Sequence, residues 1–470
     1  MGCIDQNGQE LYTFSKGFTV EALCPGPTAE NIKAALRETG RDRQRRSPLQ
    51  PKLMMWLMLC LPIFRSEAIP AVLARLISGL RGLKKTLSLK PVSDGAIAHA
   101  RRRLGVRPLR HFFQAQAQEI RPAPSFKKLR VWAFDGTSLT MPDTEENRRV
   151  FGIRKASRGR CAFPDLKVVA LQDTVTRQFR DVRWNQRHAS ERDLAASMLV
   201  HLGEGDLVLL DRGFYAAWFF DAIRTQGSHF LCRAPAPAKL RPIRGNSRRQ
   251  GDYLSCMEAP VLLPQEQWHR NSRGNLVKYG ILKLVVRVIE YRIRGFERVR
   301  LVTSLLDRSI TAMELVLQYH RRWDIELAFD ELKTHQSSTA QGTPKTTFRS
   351  HTPRNVMQEA FALAAAYNLL RDSMARAADR RSLNPHTISF VETCRAISHM
   401  IPRMRGALTC DLRLLHEQLL DDLADAQIDR PRRPRRYPRV VKQKMSNFKR
   451  KRPHHRQEVG DFRSQIRIGA

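Results

Sequence analysis

Between Pro27 and Gln116 apolar positions recur at helical spacing, broken by the basic run Arg41-Asp42-Arg43-Gln44-Arg45-Arg46. Pro27-Thr28 opens the first helical pattern and Gly40 closes it. Leu53–Phe64 is an apolar run of 12 residues that contains Pro62. It is too short to span a bilayer and predicts a buried core helix. Ser93 is placed to cap another helix, which Gly105 stops. In that helix Ile97, Ala100 and Leu104 face inward, Arg102 and Arg103 project outward, and Arg101 sits at the boundary. The period changes at Leu129. Leu129–Phe134 predicts a strand that ends at Asp135-Gly136-Thr137, and Lys167–Gln172 and Gln178–Trp184 predict a hairpin. Ser190–Leu202 predicts a helix, Leu207–Leu210 a buried strand ending at Asp211-Arg212-Gly213, Tyr215–Thr225 a helix and His229–Cys232 a strand. This alternation predicts an α/β layer with a mixed sheet.

Residues 234–298 break the alternation, with strand patterns at Tyr253–Leu263, Val277–Val288 and Glu297–Ser304. Helical patterns return at Thr311–Thr334, Val356–Arg376 and Thr409–Ala426. In the first of these, a count of about 100° per residue puts Tyr319, Arg322, Glu326 and Lys333 at about 0°, −60°, −20° and −40°, one narrow face. Ile325, Ala328 and Leu332 fall on the other side as a core stripe. Asp330 shares the charged face, where an acid opposes phosphate binding unless it pairs with a cation. Taken alone, such a face reads as solvated.

Charge changes that picture. Lys+Arg number 82 and Asp+Glu 45, a net +37 with pI near 10.9, which points to a polyanionic partner. Residues Arg430–Arg456 hold 13 Lys/Arg, no Asp or Glu, and four interspersed prolines. That segment cannot build a core and reads as a disordered nucleic-acid arm. The eight cysteines are scattered with no CxxC pair, which argues against a zinc ribbon and a disulfide scaffold and fits free thiols. Met1-Gly2-Cys3 lacks the Ser or Thr of a myristoylation signal, and no signal peptide is visible. A soluble cytoplasmic protein, with no membrane partner, is expected.

The candidate chemistry lies in three acids. Asp135 and Asp211 each follow a hydrophobic strand and precede a glycine, where sites of α/β sheets lie. With Glu326 they form a carboxylate triad suited to Mg²⁺, or Mn²⁺ in its place. Two such ions clamp the attacking and leaving oxygens of an in-line phosphoryl transfer. No general-base histidine is required, and His188 reads as a structural or DNA-facing side chain.

The spacing Tyr319-x2-Arg322-x3-Glu326-x6-Lys333 resembles the Y-R-E-K signature of DDE transposases of bacterial insertion sequences, the insertion-sequence-four family. Asp135-Gly136-Thr137, Asp211-Arg212-Gly213-Phe214-Tyr215, Ala100–Gly105 and Tyr437–Lys442 resemble that family too, so the likeness covers roughly residues 30–450. The resemblance implies an RNase H-like catalytic core with a mixed sheet, interrupted by a mostly β insertion and preceded by a helical DNA-binding domain. Residues 1–26 are then a loose arm, 27–125 the helical DNA-binding domain, 126–233 the first part of the core, and 234–305 the insertion. Residues 306–378 complete the core, 379–429 are helical, and 430–470 are the basic tail. Asp135, Asp211 and Glu326 would hold two Mg²⁺ ions. Tyr319, Arg322 and Lys333 would contact DNA, joined by Arg101, Arg102, Arg103 and Arg212. Trp268 is a candidate for stacking on a displaced base. The implied activity is cut-and-paste transposition: cleavage at the terminal inverted repeats, then 3′-hydroxyl attack on target DNA by a homodimeric synaptic complex, in a nucleoid-associated bacterial protein. Another RNase H-like nuclease, or a DNA-binding protein that has lost catalysis, are the competing readings.

Overall fold

The structure, a computed structural model, describes residues 27–43, 49–65, 67–83, 92–153, 155–156, 159–185, 190–243, 251–262, 269–270, 276–277, 279–293, 297–336, 346–405, 409–428 and 462–469. The chain divides into two units. Met1–Ala123, Asp135–Ser190 and Asp324–Ile428 make the first, and Pro124–Phe134, Glu191–Trp323 and Asp429–Ala470 the second. Strand β1 (Arg130–Thr140) gives its first half to the second unit and its remainder to the first.

The first unit is mainly helical. It contains α1 (Pro27–Glu38), α2 (Pro51–Cys60), α3 (Ile69–Leu83), α4 (Asp94–Leu104), α5 (Arg107–Gln118) and α6 (Glu145–Phe151). The apolar run is α2, with all residues from Lys52 to Cys60 buried. Ser93 caps α4 by accepting from the Ala96 N–H at 3.2 Å, and Gly105, at φ 74°, ends it. A long helix of 28 residues, Pro353–Arg380, packs against α2, α4 and α5. Its run of buried alanines lets those neighbours approach closely. The second half of β1, β4 (Asp165–Asp173) and β5 (Phe179–Asn185) are the strands here, with β4 and β5 an antiparallel hairpin. The hairpin turns because the Asp173 carboxylate accepts from the N–H groups of Val175 at 3.1 Å and Thr176 at 2.8 Å, while Arg177 takes φ 63°. Asn368 on the long helix then pairs with β5 as a strand would. It accepts from Phe179 N–H at 2.8 Å and donates to Phe179 C=O at 2.9 Å. Two residues each in β2 (Lys155–Ala156) and β3 (Gly159–Arg160) form a separate small ladder.

In the second unit the first half of β1 runs parallel to β6 (Asp206–Leu210), which runs parallel to β7 (His229–Arg233). Asp206 pins the first rung, accepting from Arg130 Nε at 2.7 Å and Trp132 Nε1 at 3.0 Å. β8 (Asp252–Leu262), β11 (Tyr279–Ile293) and β12 (Val299–Thr303) follow, with β9 (His269–Arg270) and β10 (Leu276–Val277) a small ladder apart. β12 pairs antiparallel with β7 and β11 with β12, so the β-rich stretch continues the sheet of β6 and β7. β8 pairs with the other edge of β11, and beyond it on that same edge lies β13 (Ile466–Ile468). The end of the chain, read from sequence as part of a disordered tail, is therefore a strand; residues 429–461 lie outside the described residues. The reason is local: Ile466 and Ile468 alternate about Arg467, a period-2 pattern at the edge of a sheet. α7 (Glu191–Ala196) and α8 (Ala217–Thr225) also belong to this unit, and Phe220 of α8 stacks on Phe230 of β7 at 4.2 Å.

Candidate active site

The stretch read as one helix from Thr311 to Thr334 is three elements. α9 (Ala312–His320) starts with a capping box in which Thr311 and Glu314 satisfy each other's backbone N–H groups. The chain turns at Arg321–Arg322, α10 (Trp323–Asp330) follows, and Glu331–His335 closes as a π-turn. The helical count that put Tyr319, Arg322, Glu326 and Lys333 on one face requires an unbroken helix, so that face does not exist as counted. The core stripe does: Ile325, Ala328 and Leu332 are buried.

In the second unit, Asp211 follows β6, and its Oδ1 accepts from the Gly213 N–H at 2.8 Å. A Cβ on Gly213 would stand 3.0 Å from that oxygen, a tight approach that the carboxylate would have to ease. The Cys232 thiol of β7 donates to the Asp211 carbonyl at 3.2 Å. Burial, with the charge of Asp211, pushes that thiol well above its usual range and makes it a packing group. Arg212 is exposed. Tyr319 and Arg322 are buried, at 6% and 7% exposure, where the sequence placed them on an open face. Burial drives the Tyr319 phenol upward, so it stays protonated. Arg322 lies over the half-exposed Trp323 ring at 5.8 Å.

In the first unit, Asp135 is not at a strand end. β1 continues to Thr140, and Asp135 Oδ1 accepts from the Gly136 N–H at 2.8 Å within the strand. Two residues on, Thr137 Oγ1 accepts from Lys333 Nζ, a contact between residues 196 apart in sequence. Glu326 is half-buried and Asp330 exposed. Among the described residues no group of three or more His, Cys, Asp or Glu side chains stands ready to hold a metal ion. Asp135 and Glu326 belong to the first unit and Asp211 to the second.

Of the N-terminal arginines, Arg102 is exposed and Arg103 half-buried. Arg101 corrects the sequence reading. It is 5% exposed, donates to Ser350 Oγ at 2.9 Å and to the Asn355 carbonyl at 3.3 Å, and faces Glu359 at 3.5 Å. The packing of α4 on the long helix turns a boundary position inward, so Arg101 is a buried structural side chain rather than a DNA contact. His188 and Trp268 lie outside the described residues. A buried polar cluster went unread. Arg177 pairs with Asp324 at 2.7 Å and Glu331 at 3.2 Å, and Glu331 also meets Tyr367 and Arg371. One signal was available: Asp324 and Glu331 are seven apart, a spacing that puts two acids on one helical face.

Comparison with known proteins bears on this arrangement. Residues 127–369 match the family described as the transposase DDE domain, and residues 20–114 the one described as the insertion element 4 transposase N-terminal region. The first match takes in more than half the chain, and the chain belongs to the DDE transposases, in the insertion-sequence-four family. It is 27% identical over 424 residues to the transposase InsG for insertion sequence element IS4 of Escherichia coli strain K12, covering 88% of this chain and 90% of that one. It is also 27% identical over 214 residues to InsZ of the same organism, whose name also carries the word transposase, covering 42% of this chain and 69% of that protein. Among the described residues no helix is long and apolar enough to cross a membrane.

Proposed function

We propose that this transposase cuts its element out of DNA and joins it to a target, by strand cleavage at the terminal inverted repeats and then attack of the freed 3′-hydroxyl. The observation that carries the site is the hydrogen bond from Lys333 to Thr137, which brings the last residue of the signature to the strand of Asp135. An RNase H-like core is supported by the mixed sheet, in which β1, β6 and β7 run parallel and β4 and β5 antiparallel.

Asp135, Asp211 and Glu326 are the residues that would hold two Mg²⁺ ions, or Mn²⁺ in their place. Their donor chemistry fits, because all three are hard oxygen ligands and both aspartates have one oxygen oriented by a backbone N–H. When bound, such ions stabilise the attacking and leaving oxygens of an in-line displacement. The chain's own cations do the rest. Lys333, steadied on Thr137, offers a phosphate its ammonium. Arg322, nearly dehydrated, meets a phosphate in a medium that screens it weakly. Tyr319 joins Arg322 as a proposed contact to double-stranded DNA, with Arg212, Arg102 and Arg103 as further ones. Two ends cut together call for a homodimeric synapse, and the +37 charge favours residence on the nucleoid.

Asp135→Asn, Asp211→Asn and Glu326→Gln are expected each to abolish cleavage of a duplex carrying the terminal repeat, with end binding by gel shift largely kept. Normal cleavage by any one of them would remove that residue from the triad. End binding without cleavage by the wild-type chain, across Mg²⁺ and Mn²⁺, would favour a DNA-binding protein that has lost catalysis.

A further inference from the structure

The π-turn Glu331–His335 is closed by Gln336, whose N–H donates to the Glu331 carbonyl at 2.7 Å. A π-turn holds one residue more than an α-turn and re-aims the side chains in it, Lys333 among them. Such turns are rare and form where neighbours hold them. Here the neighbours can be named, and all lie within the first unit. Glu331 Oε1 accepts from Arg177 Nη1 at 3.2 Å. Glu331 Oε2 accepts from the Tyr367 hydroxyl at 3.0 Å and from the Arg371 guanidinium. Arg371 and Tyr367 are one turn apart on the long helix, essentially inaccessible to water, and Arg371 Nε donates to the Tyr367 oxygen at 3.2 Å. Arg177 also holds Asp324 at 2.7 Å, near the start of α10, so one guanidinium ties both ends of the segment that carries Glu326.

Apolar packing of equal volume usually stabilises a helix as well as buried ion pairs do. What the planar forks add is a fixed angle. We propose that Arg371, Tyr367 and Arg177, acting on Glu331, are positioning residues that set the register of the π-turn and so lay Lys333 on Thr137 beside Asp135. This rests on the reading of Lys333 as a phosphate contact. The four act through Lys333 rather than on substrate.

The test uses the full chain and a duplex ending in the element's terminal repeat. Lys333→Ala should lower the slope of log binding constant against log salt by about 0.9, the loss of one phosphate contact. Glu331→Gln should lower it by the same about 0.9, and adding Lys333→Ala to Glu331→Gln should lower it no further. Single-turnover cleavage should fall by about 100-fold in each single variant and little more in the double. Tyr367→Phe, which keeps its ring and the fold, should move both readouts in the same direction by less. A purely stabilising cluster would instead lower the melting temperature, leave the slope of the folded protein unchanged, and multiply the cleavage losses; that result overturns the proposal. If Lys333→Ala itself leaves the slope unchanged, the phosphate reading of Lys333 falls. Amide exchange at Gln336 then decides on the cluster: lost protection in Glu331→Gln supports its hold on the π-turn, and unchanged protection overturns it.

Discussion

Gly251 lies where β8 and β13 abut along the edge of β11, and replacing it with alanine should undock the end of the chain. Its φ is 65°, in the left-handed region, which costs a residue with a Cβ about 1–2 kcal/mol. The added Cβ would stand 2.2 Å from the Gly469 nitrogen and 2.4 Å from its Cα, with the Glu290 carbonyl oxygen at 2.9 Å. These are backbone atoms, so no rotamer change relieves the overlap. One strand must move, and β13 is held by the smaller set of contacts. Its hold consists of the ladder from Ile466–Ile468 to Tyr291–Ile293, the Gly469 N–H to Glu290 bond at 2.9 Å, and the buried Ile466. At about 1 kcal/mol per backbone bond and about 1.5–3 kcal/mol for the isoleucine, docking is worth about 4–6 kcal/mol. Undocking is the escape from the clash, so that figure bounds the damage, and the rest of the sheet should survive. Hydrogen exchange followed by mass spectrometry on peptides covering 462–469 is the assay. Gly251→Ala should cut protection there by about 100-fold or more, since each 1.4 kcal/mol is tenfold, while peptides of β6 and β7 stay protected. Unchanged protection at 462–469 would refute the claim that Gly251 is required by the approach of Gly469.

Asn368→Ala should cost about 2–4 kcal/mol in urea unfolding, because both backbone groups of the buried Phe179 lose their partner together; a loss below about 1 kcal/mol would show that other groups satisfy them. Arg287, 1% exposed, makes a two-pronged pair with Asp252 at 2.7 and 2.8 Å and donates to the carbonyls of Asp307 and Ile310. Arg287→Met should destabilise the second unit by about 3–5 kcal/mol, and a neutral effect on the urea midpoint would place the pair among those that apolar packing can replace. His386 donates from Nε2 to the Val175 carbonyl at 2.8 Å and accepts at Nδ1 from Arg177 at 3.3 Å, so it is held neutral. Burial and then the Arg177 charge depress it from 6.5 to about 4. Its contribution to stability is whole above pH 6.5 and is lost as the pH falls through that value toward about 4, because only the unfolded chain takes up the proton there. His386→Gln should flatten the urea midpoint between those limits, and an unaltered profile would mean that the ring is not the group titrating.

Several strands of the sheet were legible because they are apolar runs bounded by Asp, Gly or a change of period, whereas β13, three residues at the end of a basic tail, was not. Leu207–Leu210 and His229–Cys232 are found in place, with β6 starting one residue earlier and β7 ending one later. β1 outran its prediction since Asp135-Gly136-Thr137 reads locally as the end of the strand, and pairing beside β4 keeps it extended. The break at Arg321–Arg322 left no trace in composition, because neither glycine nor proline marks it. Arg101 illustrates the same limit: a position at the edge of a helical wheel is assigned inward or outward by whatever packs against it, here the long helix bearing Gln358 and Glu359.

By itself, then, the sequence determined the alternation of strands and helices, the polyanionic partner, the family signature at Tyr319, Arg322, Glu326 and Lys333, and the apolar stripe beneath it. These are properties of period, charge and spacing, and all are local or additive along the chain. Only the tertiary structure decided that the signature is divided among α9, the turn at Arg321–Arg322, α10 and a π-turn, that Lys333 reaches Thr137, and that Glu331 is gripped by Arg371, Tyr367 and Arg177. Those are contacts between residues far apart in sequence. They form because burying a charge demands a partner, and which partner lies within reach is set by packing.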